Sequence, residues 1–246
     1  MVFLAVPLVA LLARVPWTRL PALLSAPAAV EAFWLSVRTC AVTTLVSLVL
    51  GLPLALLLSR GKGRWAAAGR TLSTVPMVLP PVVAGLALLI ALGRREPLGG
   101  WLAAGGVDLA FTTTAVVIAQ TFVAMPFLVI TVEGALRSLD TTLEDAAATL
   151  GAARLAVFRR VTLPLILPSL AAGTVLTFAR ALGEFGATIT FAGNLPGVTQ
   201  TLPLAVYVGL EGDPSEAVAL SLVLLAVSVI VLVALRDKWL RTGAAS

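Results

Sequence analysis

The sequence has no histidine and only one cysteine, Cys40, among its 246 residues. Histidine is the commonest metal ligand and general base, and one cysteine can form neither a disulfide framework nor a zinc or iron–sulfur site. Lysine is also scarce, since Lys62 and Lys238 are the only two. We therefore expect no metal site and no histidine-dependent chemistry in this chain. Neither a bound cofactor nor a catalytic residue of another kind is predicted in it.

Charge is scarce as well, at 12% of residues, whereas 59% of residues are hydrophobic and the mean hydropathy is +1.05. Soluble domains are about 45–50% apolar and about 25% charged. This chain therefore needs lipid as its solvent, where backbone amides must be paired within helices or a closed barrel. Its apolar residues form long continuous runs and not the alternating segments of a membrane barrel, so we predict an all-α protein.

Five apolar runs have the length of about 17 to 25 residues that a membrane-spanning helix needs. They cover residues 40–59, 72–92, 112–132, 165–187 and 216–235. A shorter run, Val2 to Leu12, is counted as a sixth span; the alternative, a secretory signal, lacks a basic start and a small-residue cleavage site. The expected fold is a polytopic membrane helix bundle of about six spans.

The predicted spans divide the chain into three parts. Residues 1–33 form an N-terminal transmembrane helix with an external linker, and residues 237–246 form a cytoplasmic tail. The intervening region, 34–236, is the transmembrane domain, and it contains a long cytoplasmic loop at 136–164.

Basic residues gather in alternate connections between the predicted spans. Eleven of the seventeen lie after the second and fourth spans and in the tail: Arg60, Lys62, Arg64, Arg70, Arg137, Arg154, Arg159, Arg160, Arg236, Lys238 and Arg241. By the positive-inside rule this side is cytoplasmic, which with six spans places both termini inside the cytoplasmic membrane. The pI of about 10.6 therefore reflects orientation and requires no nucleic-acid partner.

Prolines interrupt the run at 72–92 at Pro76, Pro80 and Pro81. Each removes an amide donor and kinks or breaks the helix. Broken helices are tolerated in a bilayer where they are buried in protein or line a watery cavity. The run is thus either part of a transport pathway or a kink used only for packing.

The loop at 136–164 is the longest polar connection on the inner side. Asp140 is an N-cap candidate for a short helix with acids in its first turn, and Gly151 is a candidate left-handed position at its end. A second, basic amphipathic segment from Ala152 to Thr162 follows, and Leu163-Pro164 is expected to restart the chain into the membrane. The loop is either a knob that docks on another protein or a solvated hairpin.

The run at 165–187 carries two ionisable residues, Arg180 and Glu184, four residues apart on one helical face. Ionisable groups inside a span usually face the bundle interior or a cavity and pair with one another. The same region holds further polar and small residues: Thr177, Gly183, Gly186 and Thr188. A salt bridge that fixes packing and direct contact with a substrate are both open interpretations, and the two can coexist.

The loop also carries a spaced motif. Asp145-Ala146-Ala147, Gly151 after three residues and Val161-Thr-Leu163-Pro164 after nine more resemble the E-A-A-x3-G-x9-I-x-L-P loop of ABC importer permease subunits. Aspartate stands for the motif's glutamate, with Glu144 one residue earlier. The resemblance implies a type I ABC importer permease fold whose loop docks into a cytoplasmic ATPase. The implied coupling residues are Glu144, Asp145, Ala146, Ala147, Gly151, Val161, Leu163 and Pro164.

A second resemblance covers Arg180 to Leu204, which is similar to molybdate-transport permeases in its A-L-G-E-F-G-A-T and F-A-G-N-x-P-G-x-T-Q-T-L-P segments. Val78-Leu-Pro-Pro-Val-Val83 agrees with it. The implied substrate is molybdate or tungstate, and sulfate and thiosulfate permeases share only part of the pattern. The implied pathway residues are Pro80, Pro81, Arg180, Gly183, Glu184, Phe185, Gly186, Thr188 and Asn194.

The family further implies a homodimer, two cytoplasmic ATPase subunits that hold ATP and magnesium, and an extracytoplasmic oxyanion-binding protein. In agreement, Arg60-Gly-Lys62-Gly-Arg64 lacks the spacing of a nucleotide-binding P-loop. An intramembrane hydrolase is the remote alternative, but both lysines that a serine–lysine pair could use lie at the inner surface. A structural membrane protein would share the composition but has no reason to carry the loop motif.

Overall fold

The computed structural model describes residues 2–242, without the side chains of Leu4, Leu232 and 234–242. Residues 243–246, the end of the predicted tail, lie outside the described residues. The helices are α1 Val2–Ala13, α2 Leu20–Leu24, α3 Pro27–Arg60, α4 Gly63–Val78, α5 Pro81–Leu92, α6 Pro97–Ala104, α7 Thr113–Ser138, α8 Thr142–Thr149, α9 Arg154–Val157, α10 Leu163–Leu182, α11 Gly186–Phe191, α12 Leu202–Glu211 and α13 Pro214–Thr242. The part of the chain described is therefore all-α, as predicted.

Four helical segments within residues 2–242 are long and apolar enough to cross a membrane: Pro27–Arg60, Thr113–Ser138, Arg154–Leu182 and Pro214–Val231. The pair α4 and α5 counts as a fifth if it is taken as one span bent by 115°. The expected sixth span is not supported, because α1 has 12 residues. At 1.5 Å per residue it reaches about 18 Å, less than the roughly 30 Å hydrocarbon core.

Helix α7 lies between α3 and α10, and Leu128 is fully buried where the three meet. Two glycines make this contact possible, because a Cβ atom on Gly51 or Gly173 would lie 3.2 or 3.1 Å from the Leu128 side chain. The apolar core around it contains Leu58, Val132 and Ile166. Close packing at small residues is the usual way in which membrane helices associate.

The start of α10 differs from the prediction, since Leu163-Pro164 does not restart the chain. The helix runs continuously from Arg154 to Leu182, and Phe158–Thr162 forms one π-helical turn. Proline has no amide to donate to the preceding turn, and a π-bulge is a common way to absorb such a defect without breaking the helix. The second half of the loop is therefore a direct extension of a membrane helix.

Candidate functional site

The first helix of the loop, α8, begins at Thr142, and its N-cap position is occupied by Thr141 and not by the predicted Asp140, which lies one residue earlier. The carboxylate of Asp140 accepts hydrogen bonds from the Thr142 hydroxyl and from the Thr142 amide, the latter at 2.9 Å. These two bonds lower the pKa of Asp140 below its usual value. The negative charge at the helix start also suits the helix dipole.

The end of α8 confirms the left-handed position predicted at Gly151, whose φ is +82°. The amide of Gly151 donates to the carbonyl of Ala148 at 3.0 Å, and the amide of Ala152 donates to that of Ala147 at 3.1 Å. This pair of bonds is the Schellman motif that ends many helices. A Cβ atom on Gly151 would meet nothing within 4 Å, so its surroundings in this chain are open.

The two acids of the loop motif, Glu144 and Asp145, have different surroundings. The carboxylate of Glu144 lies 3.4 Å from the Arg60 guanidinium at the end of α3 and accepts a hydrogen bond from the Thr162 hydroxyl. Asp145 is exposed, and its carboxylate has no ion pair among the described residues. Glu144 therefore ties α8 to two membrane helices, whereas Asp145 and Ala146 point to solvent. Sequence reasoning missed Arg60 and Thr162 as partners of this carboxylate.

The outward side of the loop carries three leucines, Leu143, Leu150 and Leu155, of which Leu150 is 89% exposed. The motif's other residues lie on the membrane side: Val161 and Leu163 are half-buried, and Pro164 sits in the first turn of α10. Exposed large apolar side chains that lie close together mark interaction surfaces more often than scattered ones do. The loop thus presents an apolar, small-residue face away from the bundle.

A second ionic cluster at the same end of the bundle was not predicted. The Arg70 guanidinium donates to the carboxylate of Glu133 and to the backbone carbonyls of Leu58 and Gly61. Arg137 lies 3.7 Å from the same carboxylate. Arg70 therefore caps the last carbonyls of α3, which carry the negative end of that helix's dipole.

The predicted interruption at Pro80 and Pro81 is confirmed, and it separates α4 from α5. Leu79 and Pro80 are extended, with ψ of 133° at both, and α5 begins at Pro81. Two glycines bring α5 against α11: a Cβ on Gly186 would lie 2.7 Å from the Cβ of Pro81, and one on Gly85 would lie 2.7 Å from the carbonyl oxygen of Ala187. The proline-containing segment around Pro81 and the segment around Gly186, which are about 100 residues apart in the sequence, are therefore in direct contact.

The Arg180–Glu184 pair forms, but not on one helix as predicted. Helix α10 ends at Leu182, so Glu184 lies in the connection to α11. The two charges are 2.8 Å apart, with side chains 28% and 1% exposed respectively. The other carboxylate oxygen of Glu184 accepts a hydrogen bond from the Ala187 amide at 2.8 Å. The fully buried carboxylate is thus held by one charge and one backbone donor.

The remaining predicted pathway residues are spread over the connection between α10 and α11, α11 itself and the loop after it. Thr188 is buried on α11, across the helix break from Thr177 and Arg180 on α10. The Phe185 ring packs on Tyr207 at 5.3 Å, and Gly183 is exposed. Asn194 is half-buried, and no hydrogen bond or ion pair joins it to the other predicted residues in the part of the chain described.

The described part of the chain is a bundle of four to five apolar spans with a helical loop at one end. Beside the Arg180–Glu184 ion pair, the short helices α5 and α11 pack closely together. These features are those of a multi-pass membrane permease. The chain matches the family model described as binding-protein-dependent transport system inner membrane component over residues 47–242. The chain belongs to this family of ABC importer permease subunits, and it is a multi-pass inner-membrane protein.

Within this family, the chain is more similar to molybdenum transport permeases than to a sulfate transport permease. It is 53% identical over 230 residues to the molybdenum transport system permease protein ModB of Mycobacterium tuberculosis, covering 94% of this chain and 87% of that one. Identity to ModB of Escherichia coli K12 is 40%, covering 85% and 92%. Identity to the sulfate transport system permease protein CysT of the same organism is 36%, covering 98% and 88%.

Solved structures support the fold. A bacterial alginate ABC transporter in complex with its periplasmic protein has a chain that matches with a TM-score of 0.73 at 18% identity, covering 96% of this chain and 87% of that chain. The MetNI methionine ABC transporter in an inward-facing conformation matches with a TM-score of 0.64 at 20% identity, covering 87% and 94%. The fold is that of type I ABC importer permeases.

Proposed function

We propose that this chain is the membrane subunit that translocates molybdate in an ATP-driven importer. The observation that carries the proposal is the 53% identity to a molybdenum transport permease over 94% of the chain. Identity to the sulfate permease is lower, at 36%, over a comparable share of the chain. Tungstate is the second candidate substrate, because the sequence patterns do not separate the two oxyanions.

The subunit works with partners. Two cytoplasmic ATPase subunits hold ATP and magnesium, and a second copy of this chain completes the pathway. An extracytoplasmic binding protein delivers the oxyanion. The exposed leucines of the loop and the open surroundings of Gly151 support docking of an ATPase there. The positive-inside rule supports a cytoplasmic position for this end of the bundle and for the C-terminal tail; a cytoplasmic N-terminus further requires that α1 crosses the membrane.

The coupling residues have two tasks in this proposal. Asp145, Ala146 and Gly151 are exposed, Ala147 is half-buried beside them, and together they form the contact with the ATPase. Glu144 faces inward and passes movement of α8 to Arg60 and to Thr162, at the foot of α10. Because the helix continues without a break from Arg154 to Leu182, a tilt of the loop moves the far end of α10 as well.

The proposed pathway passes the contact between α5 and α11, with Pro80, Pro81, Gly183, Phe185, Gly186, Thr188 and Asn194 around it. Arg180 supplies a positive charge at this point, and Glu184 neutralises most of it. A transported anion needs attraction that is weak enough to release it. A paired arginine that remains 28% exposed meets this requirement better than an unpaired one. ATP binding and hydrolysis switch access between the two sides.

Uptake by proteoliposomes tests the proposal directly. The chain is reconstituted with its ATPase and binding protein, ATP is enclosed, and radiolabelled molybdate is added outside. We expect ATP-dependent uptake that excess tungstate inhibits and excess sulfate does not. Uptake of sulfate in preference to molybdate would contradict the substrate assignment, and failure of the chain to copurify with an ATPase in mild detergent would contradict the partner assignment.

A further inference from the structure

A basic cleft of about 380 Å³ lies where α3 and α7 end, beside the loop. The charged side chains that line it are Arg60, Lys62, Arg137 and Glu144. Three cationic side chains converge here from separate places in the chain. Arg60 ends α3, Lys62 follows it in the turn to α4, and Arg137 lies in the last turn of α7. A basic side chain at the end of one helix is explained by the dipole of that helix, but the dipole does not explain why cations from the ends of two helices share one cleft.

The cleft keeps an excess of positive charge after its internal pairs are counted. Arg60 pairs with Glu144 and Arg137 with Glu133, but both guanidinium side chains remain more than half exposed, at 60% and 56%. Lys62 is exposed and has no ion pair among the described residues. Among the residues that line the cleft, Arg60, Lys62 and Arg137 stand against Glu144, a net charge of +2. Counting Asp140, which lies in sequence between the lining residues Leu139 and Thr141, leaves +1. The cleft is built to attract an anion.

An exposed apolar ridge leads to the cleft along α3. Leu50, Pro53, Leu57 and Arg60 are three or four residues apart and therefore share one helical face. Leu57, one turn before Arg60, is 72% exposed. From Leu50 to Arg60 the ridge is about 15 Å long, which is about half of the hydrocarbon core. An acyl chain of one leaflet fits this length.

Trp65 lies three residues after Lys62 and lines a neighbouring pocket with Arg64. It lies in the first turn of α4, beside Arg64, and is 91% exposed. Tryptophan and basic side chains gather at the membrane–water interface, where the ring suits the boundary and the cation meets phosphate. The basic cleft therefore suits the phosphate group of a phospholipid, and the apolar ridge next to it suits an acyl chain of the same lipid.

We propose that the cleft binds the headgroup of an anionic phospholipid, with one acyl chain along Leu57 and Leu50. Lys62 and Arg137 hold the phosphate group, and Arg60 is shared between the headgroup and Glu144. Because Glu144 also contacts Thr162, the bound lipid touches the network that links the loop to α10. The inference rests on the proposed function only for the choice of leaflet, which the orientation makes the inner one.

Quenching of Trp65 fluorescence by brominated lipids tests the site in the purified full chain. Brominated phosphatidylglycerol and brominated phosphatidylcholine are compared at equal mole fraction in mixed micelles, and the Trp65 signal is the difference between wild type and Trp65→Phe. We expect phosphatidylglycerol to be preferred. Lys62→Gln should lower that preference about fivefold, as expected for one cationic contact to an anionic lipid.

Two variants make the result specific. Lys62 has no ion pair to lose, so Lys62→Gln should leave folding intact, whereas Arg95→Gln removes an exposed charge outside the cleft and should leave the preference unchanged. Equal quenching by both lipids, or an unchanged preference in Lys62→Gln, would overturn the proposal. So would displacement of phosphatidylglycerol by millimolar molybdate but not by sodium chloride of the same ionic strength, since the cleft would then hold a free oxyanion. Failure of molybdate uptake would leave this binding result unaffected.

Discussion

Gly186 and Pro81 touch so closely that a Cβ atom on Gly186 would lie 2.7 Å from the Cβ of Pro81. The same Cβ would lie 3.1 Å from the amide nitrogen of Val82, which is backbone and cannot rotate away. This contact holds α11 against the start of α5, where the α4–α5 pair bends by 115°. The bend and the ion pair of the fifth predicted span therefore belong to one packed unit.

The first prediction concerns this contact. Gly186→Ala should push α5 and α11 apart and destabilise the protein by about 1–3 kcal/mol, the usual cost of overpacking. Apparent melting temperature in detergent and molybdate uptake in proteoliposomes should both fall. Gly183→Ala is the matched control for the melting temperature, since a Cβ there has nothing nearer than the Ala179 carbonyl at 3.9 Å. Equal effects of Gly186→Ala and Gly183→Ala would show that the contact between Gly186 and Pro81 does not stabilise the protein.

The second prediction separates the two acids of the loop. Glu144→Ala removes the contacts with Arg60 and Thr162 and should lower the melting temperature of the isolated permease, at a cost of about 1 kcal/mol. Asp145→Ala should leave the isolated permease unchanged, because the Asp145 side chain is exposed. Its effect should appear only in copurification of the ATPase. A loss of stability in Asp145→Ala would contradict the outward orientation.

Local features of the fold could be predicted from the sequence. The left-handed Gly151 depends on residues close in sequence and is observed, and Asp140 binds the start of α8 through Thr142, although the N-cap position itself is Thr141. The interruption at Pro80 and Pro81 likewise follows from the missing amides. Its 115° angle could not be predicted, because packing of Gly85 and Gly186 against distant backbone sets that angle.

Long-range partners explain the other differences. Glu184 lies past the end of α10 because the helix ends at Leu182, and no spacing rule fixed that end. The π turn at Phe158–Thr162 absorbs Pro164, so the expected restart became a continuous helix. The sequence predicts only that Arg70 lies on the cytoplasmic side. Its hydrogen bonds to Leu58 and Gly61 depend on how α4 packs against the end of α3. The distribution of charged residues predicts the orientation of the protein in the membrane, but it does not predict which groups each charged side chain contacts.

The third prediction concerns Gly151. Gly151→Val places a β-branched side chain at φ +82° and should strain the end of α8 by about 1–2 kcal/mol. Gly151→Asn should be tolerated better by the isolated permease, because asparagine adopts this conformation more readily. If the ATPase packs closely here, ATPase stimulation should fall in both variants. Normal stimulation in Gly151→Asn would argue against close contact at this residue.

The last prediction concerns the buried ion pair, in which the two partners are not equivalent. Glu184 is 1% exposed and Arg180 is 28% exposed, so Arg180 can regain some solvation when its partner is removed but Glu184 cannot. Arg180→Met should therefore be the more harmful single change, at a cost of about 3 kcal/mol, because it leaves a buried carboxylate without its counter-charge. Glu184→Gln keeps a group that can accept the Ala187 amide and should cost less.

Combining Arg180→Met with Glu184→Gln distinguishes a packing role from a transport role. Because no unpaired buried charge remains, the double variant should recover most of the stability that Arg180→Met loses. Molybdate uptake should stay low in the double variant if the positive charge of Arg180 meets the anion. Recovery of both melting temperature and uptake would assign the pair to packing alone, since the cation would then be dispensable for transport.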